Sequence, residues 1–473
     1  MGALTFLIYN ENYQIYNIEF TKAFLNMKDF GHDNTSYHVE QSQNINKISK
    51  DILKMNLTRS ELSNYSIHTF IYKYHRLSIN DPSPDGNQPF EDPILHKIKK
   101  YPDLRSRPHR KLLCDGEIYN YQELIENEEF NDKDLQSSSD VEVILPLYIK
   151  YGIEKTLNML NGDFSLILTE NTNTFVLKDI NIFAARDKYG IRPLWYISLN
   201  TQNFYMFTSD MCSVPTFIQN DQKYTITEVP PGTYWNFTDK QFHRYTNYVT
   251  MQKNIDLNNS LVNIGNKTDP ETLNTIYTTI KQLMSNACKI RLCNQNFGIL
   301  FNQDFIFDSY LLIGLLLQEC KNNNNTNEIH IFFTCNNTNI ENPDVICYKQ
   351  LVDFLEKKYN LNLHFHIVII NNHFNIYDYI KDKYNLTLKI LFSNYGLNDI
   401  WFNKSINNTK IIKRNFEIRF PFLDYHLTDY IQNLDKILKE PRSYKANTKP
   451  VDKYIIRKSF DDTNILPTNI LWN

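Results

Sequence analysis

The chain has 473 residues, 42% of them hydrophobic and 22% charged, and a formal net charge of −3 from 50 basic and 53 acidic side chains. That length predicts two or three domains with sizeable cores, and the near-neutral balance excludes a bulk electrostatic pull toward nucleic acid or an anionic membrane. Glycine is scarce, 12 residues in all where an average chain has about 7%, so few loops can bring backbone close to a phosphate.

In chain order, residues 3–9 read as a buried strand and residues 37–65, polar and rich in Asn, Ser and Lys, as a surface insertion. From 66 to 237, short β-type runs such as 164–168 and 205–208 alternate with turn signals. Residues 139–151 carry apolar side chains at helical spacing. This predicts an α+β half of packed sheets and helices, closed by Pro230-Pro231-Gly232 and followed by a linker. The second half alternates strand and helix: strands at 297–301, 329–333 and 363–369, helices at 308–320 and 348–359. That rhythm predicts a parallel, doubly wound sheet whose ligands bind at the carboxyl ends of its strands. The boundaries are set at 1–240, 241–270 for the linker, and 271–473.

Seven cysteines, an odd number without a Cys-x-x-Cys pair, predict free thiols rather than disulfides or a zinc site. Neither an apolar leader nor an apolar run near ~20 residues occurs, so a cytoplasmic protein with no membrane partner is expected.

Amide hydrolysis by an N-terminal nucleophile needs a thiol or hydroxyl at the start of the mature chain, oxyanion donors and a grip on the amino-acid end of the substrate. Gly116 can offer a backbone N–H to an oxyanion. Glu117 and Asp140 suit a substrate ammonium, and the planar fork of Arg76 suits a carboxylate. These residues stand in a set of ordered motifs: Phe30-Gly31-His32-Asp33, His75-Arg76-Leu77-Ser78-Ile79, Asp115-Gly116-Glu117-Ile118-Tyr119-Asn120, Ser139-Asp140 with Glu142, Leu160-Asn161-Gly162-Asp163-Phe164, and Ala185 to Leu194. The set resembles the class II glutamine amidotransferase domain. The resemblance implies an N-terminal-nucleophile-type sandwich and a glutamine site at Arg76, Leu77, Ile79, Asp115, Gly116, Glu117 and Asp140. Two departures touch the chemistry: Gly2 stands where the family has its attacking cysteine, and Asp115 replaces an asparagine that donates to the oxyanion. The glutaminase half is therefore expected to be inactive, and Cys114 is expected to lie in a strand core, unable to substitute.

In the second half, Glu417-Ile418-Arg419-Phe420-Pro421-Phe422-Leu423-Asp424, then Asp452-Lys453-Tyr454-Ile455-Ile456-Arg457, then Leu466-Pro467 with Ile470-Leu471-Trp472 resemble the asparagine synthetase domain. The resemblance implies an ATP-pyrophosphatase-like domain and the reaction of ATP, aspartate and glutamine or ammonia to asparagine, AMP and pyrophosphate. It implies ATP with Mg as the cofactor, small-molecule partners only, and a homodimer, which is common in the family. By position, ATP contacts fall on Leu300, Asp308, Ser309, Thr334, Ser393 and Asn394, with Lys453 and Asp399 as synthetase-side catalytic candidates. The glycine-rich phosphate loop is degenerate: after the strand come Asn302-Gln303-Asp304-Phe305-Ile306-Phe307, and Tyr395 and Asn398 replace acidic groups further on. Three readings follow: a divergent asparagine synthetase using ammonia, a catalytically dead pseudoenzyme with a binding or regulatory role, and a β-lactam-synthetase-like ligase. The segment from Arg419 to Asp424 excludes the phosphoribosyl and sugar-phosphate amidotransferases that share the first half.

Overall fold

The computed structural model describes residues 2–10, 17–27, 33–41, 68–92, 108–130, 134–171, 180–199, 204–246, 270–301, 306–335, 343–369, 376–384, 388–402, 416–445 and 448–472. Backbone contacts divide the chain into a first unit within Met1–Thr246 and a second within Asn247–Asn407 and Phe416–Asn473.

The first unit contains β1 (Gly2–Asn10), α1 (Asn17–Leu25), β2 (Asn34–Gln41), β3 (His68–Arg76), β4 (Phe90–Glu91) and β5 (His109–Ile118). Then come α2 (Tyr121–Glu128), α3 (Ile144–Tyr151), α4 (Ile153–Met159), β6 (Gly162–Asn171), β7 (Ile180–Arg186), β8 (Trp195–Leu199) and β9 (Phe204–Thr208). It ends with α5 (Thr216–Gln219), β10 (Thr225–Glu228), β11 (Thr233–Asn236) and β12 (Gln241–Arg244). Two antiparallel six-stranded sheets form, ordered β10-β8-β9-β1-β3-β2 and β12-β11-β7-β6-β5-β4. Their inner faces meet in one apolar cluster: Leu4, Phe6, Tyr72 and Tyr74 from the first sheet, Ile182 and Trp235 from the second. Alternation along each strand sends the next residues outward. Leu7, Ile71 and Met206 pack on Phe20 and Ile218 of the helices on one side. Leu112, Cys114 and Leu166 pack on Leu124, Ile144, Leu147 and Leu157 on the other. The result is a helix–sheet–sheet–helix sandwich, the α+β architecture expected from the sequence.

Two boundaries differ from expectation. Residues 37–41 of the anticipated insertion belong to β2, which pairs with β3 from Asn34↔Arg76 to Gln41↔Thr69; residues 42–65 lie outside the described residues. The pattern misled because β2 turns its polar side chains inward, with Ser36 donating to the Gln88 carbonyl, while Tyr37 and Val39 stay exposed. Pro230-Pro231-Gly232 does not close the unit either, since the hairpin of β11 and β12 follows it. Residues 241–244 are therefore strand, and 247–269 lie outside the described residues.

The second unit contains α6 (Pro270–Lys289), β13 (Phe297–Phe301), α7 (Ile306–Asn322), β14 (Ile329–Cys335), α8 (Pro343–Tyr359), β15 (Leu363–Ile369) and α9 (Ile376–Tyr384). It continues with β16 (Ile390–Ser393), α10 (Leu397–Trp401), β17 (Glu417–Arg419), α11 (Tyr425–Asn433) and α12 (Tyr454–Ser459). The five strands are parallel and ordered β15-β14-β13-β16-β17, the doubly wound sheet anticipated from the βαβ rhythm. Helix α6 is amphipathic, burying Ile276, Ile280, Met284 and Ala287 along one stripe. Helix α7 is buried on all sides from Phe307 to Leu317, as its apolar run requires. Among the described residues no helix is long and apolar enough to cross a membrane.

Candidate functional site

In the first unit, Gly2 begins β1 directly opposite Arg76 at the end of β3. The Gly2 N–H donates to Asp115 Oδ1 at 3.2 Å, and Asp115 is buried. A Cβ on residue 2 would stand 1.8 Å from the His75 carbonyl oxygen and 2.8 Å from the Tyr74 ring. No side chain, and so no sulfur, fits here while β3 keeps its place. Gly116 is also forced: its φ is +152° and a Cβ would meet the Asp163 carbonyl at 2.0 Å. Cys114 lies in the core of the second sheet, and burial pushes its thiol well above the usual range, which removes the thiolate a nucleophile needs.

Several sequence motifs meet in one ladder. Gly116, Glu117 and Ile118 of β5 pair with Phe164, Asp163 and Gly162 of β6. The ladder is closed by Tyr119 Oη donating to Asp163 at 2.9 Å and by the Asn161 N–H donating to Asn120 Oδ1 at 2.9 Å. Asp187 accepts backbone N–H groups from Tyr189, Ile191 and Arg192. Arg186 donates to the carbonyls of Gly190, Arg192 and Val229. The run from Ala185 to Leu194 is thus a self-braced turn.

The groups expected to grip an amino acid are brought together, but each already holds a partner from its own chain. Arg76 Nη1 donates to the Ser83 carbonyl at 2.6 Å and to Asn87 Oδ1 at 3.0 Å, and Nη2 donates to the Asp81 carbonyl. Its fork therefore closes on the 81–87 loop. Burial opposes ionisation of Asp81, but hydrogen bonds from Ser83 and Ser138 outweigh it and hold the carboxyl below its ordinary range. Asn80 Nδ2 donates to Glu117 Oε2 at 2.7 Å and to Asp140 Oδ1 at 2.9 Å, while Asp140 Oδ2 accepts the Ile118 N–H at 2.6 Å. Leu77 and Ile79 are buried beside them. The Ser78 N–H is held by Asp33, the described end of the motif at residues 30–33; residues 30–32 lie outside the described residues. The space left among Tyr74, Arg76, Asn80, Gly116, Glu117 and Asp140 is about 20 Å³, room for one water. Asn80 is the residue that sequence reasoning missed. Gln88 holds both the N–H and the C=O of Cys114 and so fixes β5 beside Gly2.

In the second unit, Leu300 on β13 sits opposite Ser393 on β16, and Thr334 on the neighbouring β14 donates to the Phe301 carbonyl at 3.2 Å. With Asn394, buried just past β16, these residues line the carboxyl edge of the sheet. Strand order reverses between β13 and β16, the place where such sheets bind ligands. Residues 302–305 lie outside the described residues. Asp308 and Ser309 are buried at the start of α7. Lys453 Nζ lies 2.7 Å from each Asp308 carboxylate oxygen. Burial raises the Asp308 carboxyl, and Lys453 pulls it part of the way back. Phe307 is capped by the Arg457 guanidinium at 3.9 Å from its ring. Tyr395 packs edge-on to Phe420, and Asp399 sits half-buried in α10. Arg419 donates to the Arg291 carbonyl at 2.5 Å and Arg291 to Asp424 at 2.8 Å. The Arg419–Asp424 motif thereby ties α6 to the N-terminus of α11, which Asp424 caps.

Comparison with known proteins agrees with both halves. The glutamine amidotransferase domain family matches residues 38–249. The chain is 27% identical over 470 residues to asparagine synthetase (glutamine-hydrolyzing) of Gallus gallus, spanning 85% of this chain and 75% of that one. It is 25% identical over 464 residues to the probable asparagine synthetase (glutamine-hydrolyzing) of Acanthamoeba polyphaga mimivirus, spanning 85% and 76%. Among solved structures, glutamine phosphoribosylpyrophosphate amidotransferase from B. subtilis, complexed with ADP and GMP, is similar at 13% identity and a TM-score of 0.34, over 84% of this chain and 92% of that one; a score that low says nothing further about fold. The sequence matches run through both halves of the chain, and together they support an asparagine synthetase family assignment.

Proposed function

We propose that this chain is an asparagine synthetase homologue whose first unit does not hydrolyse glutamine and whose second unit binds ATP in a binding or regulatory role. The absence of room for any side chain at residue 2 carries the first part. Without an attacking atom no acyl-enzyme forms, and the Asp115 carboxylate beside Gly2 opposes developing negative charge, where loss of one oxyanion donor alone costs on the order of 10²–10³ in rate. The ATP part rests on Leu300, Thr334, Ser393 and Asn394 at the carboxyl edge where strand order reverses. The buried free thiols Cys114, Cys288 and Cys320 support a reducing, cytoplasmic setting.

A Mg ion fits less well. Both oxygens of Asp308 are taken by Lys453, and no cluster of three potential ligands occurs among the described residues.

The same Lys453–Asp308 pair favours a second reading, an ammonia-dependent ligase, because two charged residues of the motifs that resemble the family are kept in buried contact. One set of assays separates the readings. Glutamate release from glutamine is expected to be zero, a fluorescent ATP analogue is expected to bind, and ATP, aspartate and ammonium are expected to yield no asparagine. Asparagine with stoichiometric pyrophosphate would establish the ligase instead, and glutamate release would overturn the first part.

A further inference from the structure

We infer that Asn80 is an internal stand-in for the ammonium group of an amino acid, and that it keeps the amino-acid pocket of the first unit closed. The inference rests on the proposal that this unit is a silent glutaminase. Glu117 and Asp140 present two carboxylate oxygens to one point, and the Asn80 amide nitrogen occupies it at 2.7 and 2.9 Å. Between two carboxylate oxygens only the NH₂ end of an amide is a donor, so its orientation follows from its neighbours. A free ammonium would bring a positive charge and three donors to the same place. The neutral amide brings two donors tethered to the chain, with no translational entropy to lose on arrival. Asn80 follows Ile79 directly and leads into the 81–87 loop, whose carbonyls hold Arg76. The ammonium end and the carboxylate end of the pocket are therefore both filled by one stretch of chain, and about 20 Å³ remains between them. The first unit excludes amino acids by occupying its own site rather than by losing the residues that would bind them.

The test is calorimetric titration of L-glutamine, and of its deaminated analogue lacking the α-amine, into the full chain and into Asn80→Ala. Hydrogen bonds to charged groups contribute about 1.5–3 kcal/mol each, so Asn80→Ala is expected to bind glutamine at least about tenfold more tightly than the parent. The deaminated analogue is expected to gain nothing. Equal glutamine affinity in parent and variant, or no binding to a variant with an intact unfolding transition, overturns the inference. If Asn80→Ala does not fold, Asn80→Ser keeps one donor to the carboxylate pair and carries the same comparison. Glutamate production by the parent is a separate readout, and it fails the underlying proposal independently of affinity.

Discussion

Lys453 and Asp308 form a bidentate ion pair across 145 positions of sequence, with both side chains almost wholly buried. Breaking such a pair from one side leaves a charge stranded in low dielectric, which costs about 3–5 kcal/mol. Lys453→Met is expected to lose that much in urea unfolding. The double variant with Asp308→Asn is expected to recover much of the loss, since neither charge is then left alone. Additive losses would show that the two residues act independently.

Gly2→Cys is expected to fold less stably by about 1–3 kcal/mol, the usual range for overpacking, and to release no glutamate from glutamine. Gly2→Ala is expected to lose a similar amount, because the obstruction begins at Cβ, 1.8 Å from the His75 carbonyl. Unchanged stability in both variants would mean that β3 yields at no cost.

Lys73 is fully buried on β3, between the rings of Phe24 and Tyr37, with a hydrogen bond to Thr21 Oγ1 at 3.3 Å. Burial lowers its amine to about 8. The unfolded chain holds that proton up to about pH 10.5, so between pH 8 and 10.5 it binds more protons than the folded chain and stability rises with pH. Lys73→Met is expected to abolish that rise and to be more stable at pH 7 by on the order of 2 kcal/mol. A rise of equal size in the variant would assign it to other groups.

His330 on β14 stacks on His364 of β15 at 4.8 Å, and its Nδ1 lies 3.2 Å from His366 Nε2. Tyr384 and Lys383 reach His366 at 2.8 and 3.2 Å, while the Glu328 carboxylate faces His330 at 3.8 Å. Burial, then Lys383 and the other two imidazoles, lower His366 to about 4; burial, then His364, lower His330. The unfolded chain takes up these protons first, near pH 6.5, so stability present above that pH is lost as it falls toward 4. His366→Gln is expected to flatten this part of the profile, and superimposable profiles would contradict it.

Much of the fold was legible because hydrophobic periodicity and burial coincide. The buried strand β1, the apolar helix α7 and the βαβ rhythm all appear where the sequence places them. Strand β2 escaped because its inward side chains, Ser36 and His38, are polar and bond to Gln88 and Lys111, inverting the usual pattern. Motif order located Asp308 and Lys453, yet nothing in their spacing announces a pair separated by 145 residues. Asn80 was missed because a lone amide beside Ile79 reads as ordinary loop polarity. Only coordinates show it lying between two carboxylates that come from β5 and from the turn before α3.

The crowding at residue 2 works as a ratchet. Restoring a nucleophile would require the β3 backbone to retreat and Asp115 to change as well, and the first of these changes made alone would loosen the sandwich without yielding chemistry. A lineage that has let β3 close over this position can refine whatever else the domain does, but no single substitution leads it back.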